Sequence, residues 1–524
     1  MSIADSPELL FAAYLSSGAS FFPASPGLKQ QLHSYIQHLQ GVLDNMEGST
    51  EPRKNALEAT LRQHQALLCP IHSLPTDVLL DIFHLIRAPE PPYYQFKISP
   101  QESTQKLITV CRRWRNLCLA SPALWNPVDV SNSTMRTQNA LELALKRARG
   151  PSFAVELLLP VPLTYHPVIQ ESVPFLTSLT IKGLVSSFAT FPTLRMFAKL
   201  QQLSIVIFPR RRPPAELTGQ AAAGWVNPPI DSTTALKVVS DCPQLRRLCC
   251  AISPTARHDS IVLDPSQVNM VWSRLTEIDV HSSSSSDLVR MLRLCINLQK
   301  FLYRGLPSHF RRAISDWPPG LTAVLPRLTT LELCNMSPGL PRCLICPSLE
   351  TLVLRGLWDI EDLTRMLNNA GRVRHLKLQD LIGHPSASLN SFRLLLFKFD
   401  NVESLVIPNN NDQLGLLVPL LRPQARVNNM AGMFFPRLRS IVLVQHGLRF
   451  TTARELGAAL CARAKGHEST GLKKVTVRLF VLAAPAEIRE ESISAAVDLL
   501  KLLRSSEVQV SLFLNDVRKR IPLS

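Results

Sequence analysis

The chain contains no run of about 18 uncharged apolar residues, so a membrane-spanning helix is not expected. Its opening, Met1-Ser2-Ile3-Ala4-Asp5-Ser6-Pro7-Glu8, holds acids and no basic stretch, which argues against a secretory signal. Outside the secretory route thiols stay reduced. The eleven cysteines are therefore expected to be free thiols, and the protein to be cytoplasmic, nuclear or both. Catalytic signatures are missing as well: there is no HExxH, no GxSxG and no Gly-rich phosphate loop. Neither an enzyme nor a cofactor is expected. Cys343-Leu344-Ile345-Cys346 is a lone CxxC without the further ligands that zinc needs. Cys346 also fills the slot before a leucine that Cys242 and Cys295 fill elsewhere, so buried structural thiols are the better reading.

What is present is a 524-residue chain, long enough for a large core, with 46% hydrophobic and 19% charged residues. Its formal charge is +17. The positive charge is spread, and Arg210-Arg211-Arg212 and Arg518-Lys519-Arg520 are the tight runs. With no zinc-finger spacing and no RNP-type aromatic strand, a solvated basic surface ranks above nucleic-acid binding.

Residues 71–130 carry the densest pattern. Pro75 near a helix start costs no internal hydrogen bond, and Asp77 in the first turn suits the helix dipole. Val78, Leu79, Ile82, Phe83 and Ile86 then form one apolar face. Leu107, Val110, Cys111, Trp114, Leu117 and Cys118 recur at helical spacing and predict one amphipathic helix, with Arg112, Arg113 and Arg115 off the stripe. Ser121-Pro122 starts a further short helix with Leu124 and Trp125. Sixty residues cannot bury this much apolar surface alone.

The order Leu74-Pro75, Ile82-Phe83, Val110-Cys111-x-x-Trp114, Leu124-Trp125 resembles an F-box, in particular that of fungal, mushroom-type F-box proteins. The likeness spans roughly residues 30 to 150. It includes the lead Leu68-Cys69-Pro70-Ile71-His72-Ser73 and a Pro-rich spacer over residues 87–102. Asp77 departs from the usual Glu.

Upstream, Leu28, Leu32, Ile36, Leu39, Leu43 and Met46, then Leu57, Leu61 and Leu68, predict a helical hairpin broken at residues 48–52. Downstream, residues 137–149 predict a helix. A unit apolar-x-x-Leu-x-x-Leu-x-apolar then recurs, as in Leu328-Thr-Thr-Leu331-Glu-Leu333 and Leu349-Glu-Thr-Leu352-Val-Leu354. Its spacing, irregular and mostly in the twenties and thirties, resembles leucine-rich repeats. The Asn usual after each strand is replaced by Leu184, Met336, Leu357 and Leu381, and only Asn410 fits. Helices are expected at 287–295, 360–369, 452–464 and 486–503, and long loops at 208–231, 304–326 and 422–436.

The expected fold is therefore α/β. It comprises a flexible N-terminus (1–27), a helical hairpin (28–70), an all-α F-box (71–130) and an irregular leucine-rich-repeat solenoid of parallel strands and helices (131–524). The resemblance implies that the F-box docks the Skp-type adaptor of an SCF (cullin-RING) ubiquitin ligase, and cullin through it. It assigns docking to Leu74, Pro75, Ile82, Phe83, Val110, Cys111, Trp114 and Trp125. The repeats would bind a protein substrate, acidic or phosphorylated, through cations such as Arg246, Arg247, Arg374 and Lys377. No RING-like Cys/His array is present, so the chain should not recruit a conjugating enzyme itself. The alternative is a leucine-rich-repeat scaffold, or protein-interaction module, outside any ligase.

Overall fold

In a computed structural model the described residues are 26–46, 51–68, 71, 74–87, 100–130, 138–161, 163–194, 196–208, 230–231, 236, 242–252, 261–262, 271–281, 285–305, 320–335, 339–356, 360–370, 373–379, 395–396, 398–408, 418–421, 426–427, 430–431, 435–445, 450–464, 472–479, 486–504 and 508–514. Residues 1–25 of the N-terminus, residues 88–99 of the Pro-rich spacer, the loop interiors 209–229 and 306–319, and residues 336, 357, 381 and 410 lie outside them. The chain divides into two compact units, Met1–Ser178 and Leu179–Ser524.

The first unit opens with α1 (Pro26–Asp44) and α2 (Glu51–Leu67), the expected hairpin. Leu32, Leu39 and Leu61 are buried, and Tyr35 meets His64 edge-on with ring centroids 5.1 Å apart. Next come α3 (Thr76–Arg87), α4 (Pro100–Val110), α5 (Arg112–Ala120) and a 3-10 turn at Pro122–Trp125. The single helix predicted over Leu107–Cys118 is in fact two. Cys111 is extended (φ −157°, ψ 170°), and its Sγ accepts the Trp114 N–H at 3.5 Å, capping α5. The apolar spacing survives the break because the interruption is a single residue wide. The unit continues with β1 (Val128–Val130), α6 (Gln138–Ala148), β2 (Ala154–Leu158) and α7 (His166–Ser172).

The second unit is built from repeated strands. These are β3 (Ser178–Leu184, starting at the boundary), β4 (Gln202–Phe208), β5 (Arg247–Ile252), β6 (Glu277–His281), β7 (Lys300–Arg304) and β8 (Thr330–Cys334). They continue as β9 (Thr351–Arg355), β10 (His375–Gln379), β11 (Ser404–Pro408), β12 (Ser440–Gln445), β13 (Lys474–Leu479) and β14 (Gln509–Leu514). Its helices are α8 (Val185–Thr190), α9 (Ser285–Leu294), α10 (Ile360–Asn368), α11 (Phe450–Ala464) and α12 (Ala486–Arg504). In the first unit β1 pairs parallel with β2, and the strands of the second unit follow one another in chain order in a parallel sheet, so the protein is mixed α/β.

Alternation explains the strands. In β3 to β13 the second and fourth residues, such as Leu331 and Leu333 or Leu352 and Leu354, are buried. Register keeps like with like: Phe301, Leu331, Leu352, Leu376 and Leu405 are paired along the sheet. In β3 to β13 the residue two before the strand, a leucine except at Val373 and Val402, is buried as well, as at Leu275, Leu298, Leu328 and Leu349. One backbone device recurs. The carbonyl between that leucine and the strand accepts two N–H groups of the next unit, as Arg246 O does from Thr276 (2.8 Å) and Glu277 (3.0 Å).

Where β7, β8 and β9 end, Asn335 adopts φ 45°. Its N–H donates to Arg355 O at 2.8 Å, and Gly305 N–H donates to Cys334 O at 2.7 Å. A Cβ at Gly305 would overlap the Asn335 carbonyl, and one at Gly356 (φ +72°) would overlap its side-chain oxygen. An asparagine one position before Met336 thus fills a turn that the repeat pattern left without one.

Candidate functional site

The helical cluster has a closed core. Leu79, Phe83, Leu107, Trp114, Cys118 and Leu124 form it, with Leu74, Ile82 and Cys111 packed against it half-buried. Phe83 and Trp114 sit 4.8 Å apart between centroids, tilted at 59°. Trp125 is also buried. Its Nε1 donates to Cys118 O at 2.8 Å, and Arg147 lies 5.0 Å over its ring. Thr104 Oγ1 donates to Leu124 O at 2.7 Å, tying α4 to the 3-10 turn. Arg113, expected on the polar face, is buried instead. Its guanidinium donates to Leu74 O at 2.6 Å and so fixes the start of α3 against α5.

The eight predicted docking residues therefore separate by exposure. Phe83, Trp114 and Trp125 are core. Leu74, Ile82 and Cys111 are half-buried on that core. Only Pro75 and Val110 (57% exposed) stand out in solvent.

Sequence reasoning missed most of the outward face. Val78 (38%), Leu85 (74%) and Ile86 (53%) are exposed. At 3.6 residues per turn, Pro75, Val78, Ile82, Leu85 and Ile86 fall within about 100° of arc, beside the buried Leu79–Phe83 stripe. α3 thus carries a wider apolar sector than its own core covers. That width was the available signal: five apolar positions, where one packed stripe accounts for two. An exposed apolar set of this kind marks an interaction surface more often than a solvated one.

The four predicted substrate contacts are not one site. Arg246 and Arg247 are at the leading end of β5, Arg374 and Lys377 on or before β10. Five strand steps separate them, about 24 Å at 4.8 Å per step. Arg247 is already engaged, its Nε donating to Glu277 Oε2 at 2.6 Å. Arg374 follows Glu350 and precedes Glu403 in the register of consecutive leading residues. The nearby outward face is similarly neutralised. Asp279 pairs with Arg304 at 3.2 Å, and His281 Nε2 lies 3.6 Å from its other oxygen. Burial raises the Asp279 carboxyl, against the pull of Arg304. Burial, with Arg304 beside it, pushes His281 down to about 4.

Cys343 and Cys346 are buried, and burial pushes the Cys346 thiol up to about 12, as packing residues require. No cluster of three metal-type ligands occurs among the described residues, and no described helix is long and apolar enough to cross a membrane. No protein-family model matches the chain, and no curated protein matches it.

Proposed function

We propose that the protein is the substrate-recognition subunit of an SCF (cullin-RING) ubiquitin ligase. The helical cluster acts as an F-box that docks a Skp-type adaptor, and cullin through it. The parallel strands act as an irregular leucine-rich-repeat solenoid that holds the protein substrate. The chain catalyses nothing itself. It raises the local concentration of substrate lysines near the charged conjugating enzyme, in the cytoplasm or the nucleus.

The observation that carries the reading is the divided apolar sector of α3. Leu79 and Phe83 build the cluster, while Val78, Leu85 and Ile86 remain outside it in the segment with the F-box-like motif order. Buried apolar anchors dominate such interfaces, at about 2 kcal/mol or more each on truncation. Leu74→Ala is a poor probe, because Leu74 packs on the core and its carbonyl holds Arg113. Val78→Asp with Leu85→Asp strikes the surface alone. Affinity purification of the wild type should bring down adaptor and cullin. The double variant should lose both and keep its remaining partners. A wild type that brings down neither is a scaffold outside the ligase system, and the assignment fails.

A further inference from the structure

Charges on neighbouring strands of this sheet generally alternate in sign. Arg247 faces Glu277 and is bonded to it. Arg304 pairs with Asp279. In the leading row, Arg374 lies between Glu350 and Glu403. Alternation is what stability favours, because like charges directly opposite on adjacent strands repel.

The rule breaks at β12 and β13. Arg437 and Arg439 lead into β12, Lys473 leads into β13 and Lys474 begins it. All four are exposed. Lys473 N–H donates to Arg439 O at 2.9 Å and Lys474 N–H to the same oxygen at 3.0 Å, which places three cationic residues in immediate register. Adjacent strands lie about 4.8 Å apart. No described carboxylate forms an ion pair with any of the four. The register supplies one carboxylate, Glu403, on the far side of Arg439. Among the described residues the fold therefore brings like charges together here with one carboxylate, Glu403, in register, at a cost that an incoming anion removes.

We infer that Arg437, Arg439, Lys473 and Lys474 form a docking surface for an acidic, Asp/Glu-rich segment of a partner protein. This rests on the proposal that the repeats are the receptor, and it moves the recognition site away from Arg246, Arg247, Arg374 and Lys377. Arg presents a planar fork to a carboxylate, and two lysines beside it add point charges without fixed geometry. The combination suits a run of carboxylates more than a single bidentate anion.

The test uses the full chain and a fluorescein-labelled Glu/Asp-rich peptide, read by anisotropy across a salt series. The wild type should bind, and binding should weaken as salt rises. R439E/K473E/K474E should lose at least tenfold in affinity, and the neutral R439Q/K473Q/K474Q somewhat less. R246E/R247E should bind as the wild type does. K473E alone should raise the melting temperature, by placing Glu opposite Arg439, while weakening binding. Equal binding by the wild type and both triple variants would overturn the assignment. So would a phosphoserine peptide of equal charge that binds more than tenfold tighter, or an oligonucleotide that displaces the peptide at lower concentration. Adaptor binding by the triple variants, measured in parallel, separates the two readings. Variants that keep the adaptor and lose the peptide support this surface. A wild type that binds the peptide and no adaptor contradicts the ligase reading alone.

Discussion

His281 shows how far a single outward-facing strand residue is shaped by its neighbours. It lies between Asp279 and Arg304, and its imidazole is pushed down to about 4 from 6.5, mainly by burial. The unfolded chain titrates it near 6.5. Between those values the unfolded chain takes up a proton that the fold refuses, so stability falls as pH drops from 6.5 toward 4. Asp279 acts in the opposite sense: burial raises it, so the fold protonates it first and recovers part of the loss. Urea titrations should show about 1–2 kcal/mol less stability at pH 5 than at pH 7, and His281→Gln should shrink that difference. Identical pH dependence in the two proteins would contradict this account. Two glycines make a second comparison. Gly356→Ala should cost about 1–2 kcal/mol, because it strains φ +72° and meets Asn335. Gly41→Ala, in the last turn of α1 with nothing within 4 Å, should stabilise by roughly 0.5 kcal/mol. Neither Asn335 nor Arg113 was legible beforehand. Their roles depend on what a neighbouring segment brings within reach, which periodicity does not encode.

At the level of elements, α3 presents two adjacent apolar stripes, one buried in the cluster and one exposed. Phe83→Ala should unfold the cluster, at about 3–5 kcal/mol, whereas Val78→Asp should leave thermal stability unchanged within about 0.5 kcal/mol. Melting curves of the two variants check this, and a large loss in Val78→Asp would mean that the stripe is already covered. α11 offers an independent case. Arg463 is buried, donating to Leu421 O at 3.2 Å and Phe435 O at 2.5 Å, and burial lowers it only to about 10. It remains charged at neutral pH and clamps two connecting segments to the helix. Arg463→Met should cost about 2–4 kcal/mol, since it strands buried carbonyls. A neutral result in chemical denaturation would show that the carbonyls find other donors. Helices with long apolar stripes were readable from sequence: α1, α2, α9, α10, α11 and α12 fall within a few residues of expectation. The short α7 and α8 were not, and nor was the break at Cys111. Such pieces are set by caps and tertiary contact rather than by repeated spacing.

For the whole molecule, the sequence repeat and the sheet correspond closely. Each Leu-x-x-Leu-x-apolar instance coincides with one of β3 to β13, because two-residue alternation fixes which side of a strand is buried. β1, β2 and β14 escaped notice, since none follows the leucine lead: β14, for example, is preceded by Ser505-Ser506-Glu507-Val508. The proposed docking face was only half legible. Motif order pointed to residues that build the cluster, while the surface positions Leu85 and Ile86 emerge once burial separates the two stripes. In the proposed function this surface receives an adaptor while the strands stay free for another partner. Its most direct test is titration of the purified full chain with purified Skp-type adaptor, followed by calorimetry and by the mass of the complex in solution. The account predicts a one-to-one complex for the wild type, and at least a hundredfold weaker binding by Val78→Asp/Leu85→Asp at unchanged melting temperature. A wild type that forms no complex, or a double variant that binds as tightly as the wild type, would contradict it.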